Sequence, residues 1–201
     1  GKIEMKYMTA KEEDILTNNN YIARGIVIDK LLQALIVDKS IKYGDLLAGD
    51  KNVLLVGARI LGYGEMYEFE YDGEKISIDL SKLDNKPLDE ELFKEGKNEF
   101  TYTLPTSNKN ITFKFLTHTD EQSIQQEIKG LQKINKDANP EMSTRLKHII
   151  QSVDGKVDQK SIRDFVDNEF LARDARAFRN YYGSLQPDLD LTFYPENGPE
   201  E

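Results

Sequence analysis

Apolar residues recur at three- and four-residue steps in the first third of the chain, a spacing typical of an amphipathic helix. The stripe consists of Ile28, Leu31, Leu32, Leu35 and Ile36. It predicts a helix over Tyr21–Val37 with one buried side. A shorter helix is predicted from Thr9 to Leu16, because Thr9 and Glu12 have the Thr-x-x-Glu spacing of a capping box.

A third helix is predicted over Val53–Leu61, with Asp50 as its N-cap. It is apolar nearly all round, so we expect it to be central. Gly62 is interpreted as its C-terminal cap and Gly64 as the entry to the following strand.

The middle of the chain alternates between polar and apolar residues, which is typical of strands. Tyr63–Tyr71 and Lys75–Leu80 flank Asp72-Gly73, the dipeptide most typical of a tight hairpin turn. Two more strands are predicted over Glu99–Leu104 and Asn110–Leu116. We therefore expect one four-stranded antiparallel sheet.

Helical spacing returns in the last third. The predicted elements are a helix beginning at Thr119-Asp120-Glu121-Gln122, a helix over Met142–Val153, one long or two short helices over Ser161–Tyr182, and a short strand over Asp190–Tyr194 before a solvated acidic tail. These elements define an α+β fold. It has an N-terminal helical part (1–62), an antiparallel β part (63–117) and a C-terminal helical part (118–201), which we expect to form one compact unit.

Composition narrows the possible functions. The 201 residues include 27 Lys+Arg and 36 Asp+Glu, which gives a net charge of −9. A net negative chain is a poor generic binder of phosphate backbones, so we expect no nucleic-acid partner. No apolar run approaches the roughly 20 residues that a membrane-spanning helix needs. No segment resembles a targeting signal, and the simplest interpretation is a soluble intracellular protein.

Residue types and motifs that are common in catalytic sites are scarce in this sequence. Cysteine is absent, and the two histidines, His118 and His148, have no metal-site spacing, so both are interpreted as structural or surface residues. The glycines of Gly57–Gly64 fit a helix end better than a phosphate loop. The paired carboxylates Glu68 and Glu70 are expected on the wet side of a strand. No catalytic, cofactor or metal residue is therefore assigned, and no small-molecule substrate is expected.

An arginine row near the C-terminus is the strongest candidate for binding. Arg173, Arg176 and Arg179 are three residues apart and share one side of a helix. Asp174, between them, is expected to pair locally. Arginine beside aromatic residues is also the composition of a protein-interface hot spot. The aromatic candidates are Phe178, Tyr181 and Tyr182. The alternative interpretation is a salt-bridged helix face.

Several sequence blocks, in this order and spacing, resemble the T4-type bacteriophage baseplate hub protein family. The blocks are Met8–Leu16, Ile28–Leu35, Leu46–Lys51, Leu54–Tyr67, Glu74–Leu83, Ala172–Arg179 and Gln186–Leu191. The resemblance implies a non-enzymatic structural or assembly subunit of the tail baseplate hub. Its partners would be other tail or hub proteins, and it would be found in the virion and, during assembly, in the host cytoplasm.

Some members of that family carry Cys-x-x-Cys pairs near the first hairpin and near the C-terminal strand, which would suit a zinc ion. The matching stretches here, Phe69–Gly73 and Tyr194–Gly198, contain no cysteine, so no metal is implied. Asp50, Arg59 and Gly64 lie inside the resembling blocks and are interpreted as structural. Arg59, at the end of an apolar helix, should need a carboxylate partner or an exit to solvent.

Three other functions stay open. The chain could be a transient tail-assembly chaperone that is absent from the virion, which proteomics of purified virions would reveal. It could be a carboxylate-dependent hydrolase, whose activity Glu68→Gln or Glu70→Gln would abolish with the fold intact. It could also be an adaptor unrelated to phage, whose neighbouring genes would not be tail genes.

Overall fold

The computed structural model describes residues 2–87, 90–93, 96–136 and 139–192. The helices are Ala10–Leu16 (α1), Asn19–Ala23 (α2), Val27–Leu35 (α3), Ala48–Tyr63 (α4), Glu90–Phe93 (α5), His118–Ile134 (α6), Glu141–Ile149 (α7), Gln159–Asp164 (α8) and Ala172–Leu185 (α9). The strands are Met66–Tyr71 (β1), Glu74–Asp79 (β2), Phe100–Thr103 (β3), Asn110–Phe113 (β4) and Ile150–Val153 (β5). The protein is α+β, with helices towards both ends of the chain, as the sequence predicts.

The N-terminal helices form where expected but with different limits. The capping box of α1 is present, since the Glu12 carboxylate accepts the Thr9 amide proton at 3.0 Å. The predicted helix Tyr21–Val37 is divided into α2 and α3 because Gly25 adopts a φ of +66° and ends the first of them.

Helix α4 is longer and less central than predicted. It begins at Ala48, so Asp50 lies in its first turn and is not the N-cap. Val53 and Leu55 are 46% and 41% exposed, so α4 is not buried all round. Its buried side chains, Leu54 and Ala58, belong to the core of this part of the chain.

The hairpin is confirmed. β1 and β2 pair antiparallel with Tyr71 opposite Glu74. Asp72 and Gly73 both have positive φ values, +51° and +82°, as a two-residue type I′ turn requires.

The prediction of one four-stranded sheet is wrong. β1 and β2 form a two-stranded sheet, and β3, β4 and β5 form a separate antiparallel sheet in that order. The third strand of the second sheet, β5, occupies the end of the predicted helix Met142–Val153. Pairing of Ile111 with Val153 and of Phe113 with Ile150 favours the strand over a continued helix, because both residues of β5 become buried.

The C-terminal region follows the two-helix alternative. α8 and α9 are joined through a π-helical turn at Phe165–Glu169. Helix α6 begins at His118 with Thr117 as its N-cap, two residues before the predicted cap at Thr119. Of the predicted strand Asp190–Tyr194, residues 190–192 are not part of a strand, and Phe193, Tyr194 and the acidic tail lie outside the described residues.

The chain is divided into two compact units. The first unit contains residues 1–43, 49–87 and 187–201, and its core includes Leu32 and Leu35. The second unit contains residues 44–48 and 88–186. Its core is rich in phenylalanine, and Phe113, Phe115 and Phe178 are its largest fully buried side chains. The three parts predicted from the sequence are thus distributed over two units.

Candidate functional site

Helix α9 is fixed in the second unit by its aromatic residues. Phe178 has no exposed surface, and its ring lies 5.2 Å from that of Phe113. The ring of Tyr181 stacks on Tyr102 at 4.5 Å. The Tyr182 hydroxyl accepts a hydrogen bond from the Leu116 amide at 3.3 Å. These side chains therefore anchor the helix to the core.

The prediction that aromatic residues of α9 contribute to a partner surface is corrected for Phe178, which is inaccessible. Tyr181 and Tyr182 are half-buried against the core. Burial raises the pKa of Tyr182 to about 12, because the phenolate would lie in an apolar environment. The reason for the correction is helical phase, since all three side chains lie on the side of α9 opposite the arginines.

Arg173, Arg176 and Arg179 are all exposed on the outer side of α9. Within the described part of the chain, none of the three forms an ion pair. The Arg179 guanidinium contacts the sulfur of Met142, which is itself 55% exposed. A salt-bridged helix face is therefore not formed among the described residues.

Asp174 was expected to pair locally with the arginines around it, and this prediction is wrong. Its side chain is fully buried, and its two oxygens accept the backbone amides of Thr106 and Ser107 at 2.8 and 3.0 Å. Burial disfavours the charged carboxylate, but hydrogen bonds from Ser107 and Thr106 outweigh it and hold the pKa of Asp174 below its ordinary value. Asp174 thus connects α9 to the turn between β3 and β4, and the outer face of α9 remains purely cationic.

The residues interpreted as structural lie around α4. The Arg59 guanidinium has no carboxylate partner among the described residues. It donates to the carbonyl oxygens of Gly64 and Met66 at 3.1 and 3.4 Å and lies over the rings of Tyr63 and Tyr67. Arg59 thereby connects the end of α4 to the start of β1.

Gly64, and not Gly62, is the C-terminal cap of α4. It has a φ of +87°, and its amide donates to the Ile60 carbonyl at 2.9 Å. Gly62 lies inside the helix, where a Cβ would be 2.2 Å from the end of the Met8 side chain.

The candidate reactive residues belong to different units: Glu68 and Glu70 to the first, His118 and His148 to the second. Glu68 and Glu70 are exposed on β1. His148 lies 2.9 Å from a Glu127 oxygen, and His118 lies 3.0 Å from the Gln122 amide nitrogen. Across the described residues, no group of three or more histidine or acidic side chains is placed to hold a metal ion.

Comparison with known proteins yields no relative: no family model, no curated protein and no solved structure matches this chain. Among the described helices, none has both the length and the apolar character needed to cross a membrane. The candidate site therefore depends on the geometry of the second unit alone. We define it as the outer face of α9: Arg173, Arg176, Arg179 and the adjoining exposed positions.

Proposed function

We propose that this chain is a non-enzymatic structural or assembly subunit of the baseplate hub of a contractile-tailed bacteriophage, and that it acts by binding other tail or hub proteins. Support for the phage assignment comes from the order and spacing of the resembling sequence blocks. The proposal places the protein in the virion tail and, during assembly, in the host cytoplasm.

One structural observation carries the binding role. Three exposed arginines without an ion pair to a described residue lie on a helix whose opposite side is fixed by a fully buried phenylalanine. Arginine is enriched among the residues that contribute most to protein interfaces. A rigid helix presents the guanidinium groups with little loss of backbone freedom on binding.

The test is an affinity purification of the tagged chain from phage-infected cells, with cross-linking and mass spectrometry. We expect tail hub proteins to be recovered and cross-linked through lysines of the C-terminal helices, such as Lys160 on α8. The triple variant Arg173→Ala, Arg176→Ala, Arg179→Ala should lose this recovery. Arg24→Ala, which removes an exposed arginine from the first unit, should retain it.

Recovery of no tail protein above background by the unmodified chain would overturn the proposal. Equal recovery by the triple variant would show that α9 is not the binding surface. Proteomics of purified virions then separates a permanent subunit from a transient assembly chaperone.

A further inference from the structure

No described residue forms an ion pair with the arginines on the outer face of α9. Its one acidic residue, Asp174, is turned into the protein and held by the amides of Thr106 and Ser107. Arg173, Arg176 and Arg179 therefore give three positive charges to a single face of a chain whose net charge is −9. Charge complementarity favours a partner segment that carries carboxylates.

Gly183 lies on the same face, one turn beyond Arg179. A Cβ at Gly183 would meet nothing within 4 Å, and the residue has no positive φ, so the fold of this chain does not require glycine there. Glycine is an unfavourable residue inside a helix. Its missing side chain allows the backbone of another molecule to approach closely.

We propose that the outer face of α9 binds an acidic α-helix of a partner protein, which crosses α9 over Gly183 and pairs its carboxylates with the three arginines. This inference rests on the proposed function and specifies the chemistry of the partner. Residues three apart on a helix are separated by about 4.5 Å along its axis. Carboxylates at three- or four-residue spacing on a second helix match that separation, whereas same-face residues of a strand are about 6.6 Å apart.

The probe is a fluorescently labelled, alanine-rich helical peptide of about 20 residues with glutamate at every third or fourth position. A matched peptide has glutamine at each of those positions. Binding of both to the full chain is followed by fluorescence anisotropy at low ionic strength. We expect the glutamate peptide to bind and the glutamine peptide to bind at least tenfold more weakly.

Two variants locate the binding. Arg176→Ala should weaken binding of the glutamate peptide by about tenfold, because charge-assisted hydrogen bonds are the strong ones. Gly183→Leu should weaken it by a similar factor while retaining the helix, since leucine is a good helix former. Arg24→Ala removes the same charge from the first unit and should change binding by less than twofold. Circular dichroism of each variant checks the fold.

Equal binding of the glutamate and glutamine peptides, or equal loss in Arg176→Ala and Arg24→Ala, would overturn the inference. Tighter binding of a 20-nucleotide single-stranded RNA than of the glutamate peptide would overturn it in favour of a nucleic-acid partner. If the purification from infected cells recovers hub proteins equally with Arg176→Ala and Gly183→Leu, the inference fails and the proposed function stands. If it recovers none with the unmodified chain, the proposed function fails whatever the peptide does.

Discussion

At the scale of single residues, the second unit contains a fully buried carboxylate, Asp174, for which the sequence had predicted a local ion pair. Asp174 joins α9 to the turn between β3 and β4 through two backbone amides. Each of these amides donates a hydrogen bond to a different oxygen of Asp174, so both atoms at the end of the side chain must be acceptors. An asparagine would place an N–H group against an amide N–H.

We therefore expect Asp174→Asn to lower the melting temperature by about 5 °C, as the loss of a buried hydrogen-bond acceptor predicts for a chain of this size. The measurement is thermal unfolding followed by circular dichroism. Glu99→Gln makes the same chemical change at an exposed position of the second unit and should leave the transition within about 1 °C. Equal melting of the two variants would show that the Asp174 contacts do not stabilise the fold.

Two glycines provide a matched pair, because the same substitution should have opposite effects. Gly64 has a left-handed backbone, so Gly64→Ala should lower the free energy of unfolding by about 1 kcal/mol. Gly183 is helical and open, so Gly183→Ala should raise it by about 0.5–1 kcal/mol. Urea unfolding measures both, and changes of the same sign would contradict the assigned backbone conformations.

Helical phase was the signal that could have placed Asp174 correctly. Asp174 and Phe178 are four residues apart, so the apolar side of α9 includes Asp174. The arginines, by contrast, are offset from Phe178 and face outwards. Sequence proximity to Arg173 favoured a local ion pair, but the nearest chemical partners of Asp174 are 68 and 67 residues away in the chain.

At the scale of elements, one carboxylate connects three helices of the second unit. Glu127 on α6 accepts two hydrogen bonds from Arg163 on α8, at 2.7 and 3.1 Å, and lies 2.9 Å from His148 on α7. The hydrogen bonds from Arg163 lower the pKa of Glu127 to about 2, against the opposing effect of burial and with a further contribution from His148.

This arrangement makes stability depend on pH in a defined window. The pKa of Glu127 is lower in the folded chain than the 4.5 expected without these contacts, so its stabilising effect is complete above about pH 4.5 and is lost as the pH falls towards 2. The difference in unfolding free energy between the unmodified chain and Glu127→Gln should therefore decrease as the pH falls from about 4.5 towards 2. Urea unfolding from pH 2 to 7 measures this difference, with Glu99→Gln as the control. A difference that stays constant to pH 2 would contradict the pairing.

Elements differ in how far the sequence determines them. The β1–β2 hairpin was predictable because Asp72-Gly73 supplies the two positive φ values that its turn needs. β5 was not, because Ile150 and Val153 continue the helical spacing of Leu146 and Ile149 in α7. Pairing with β4, which is far away in sequence, decides the outcome. The separation of the two sheets could not be predicted either, because alternation of polar and apolar residues predicts strands but not which strands pair.

At the scale of the whole molecule, the second unit is largely an insertion into the first. Within the first unit, the segment that ends at Pro87 is followed by the segment that begins at Pro187. These two segments are hydrogen-bonded to each other: the Lys86 amide donates to the Asp188 carbonyl at 2.9 Å, and Asn85 forms an antiparallel β-bridge with Leu189. Closing a loop of that length from a disordered chain costs about 4 kcal/mol on simple polymer arguments.

Folding of the second unit removes much of that cost, so we expect the two units to depend on each other unequally. Phe113→Ala, in the second unit, should reduce amide-exchange protection in both units. Leu32→Ala, in the first, should reduce it mainly there. Each substitution removes a fully buried side chain, with an expected loss of about 3–5 kcal/mol. Hydrogen exchange with mass spectrometry resolves the two units, and equal loss in both directions would contradict the asymmetry.

The inward turn of Asp174 also has a consequence for the speed of association. A negative chain with one cationic face has an asymmetric electric field, and this field orients an acidic partner before contact. We expect the association rate constant to fall steeply with added salt and the dissociation rate constant to change little. Stopped-flow measurements from low to physiological ionic strength would show this as a binding reaction whose affinity is controlled by how often the partners meet in the right orientation.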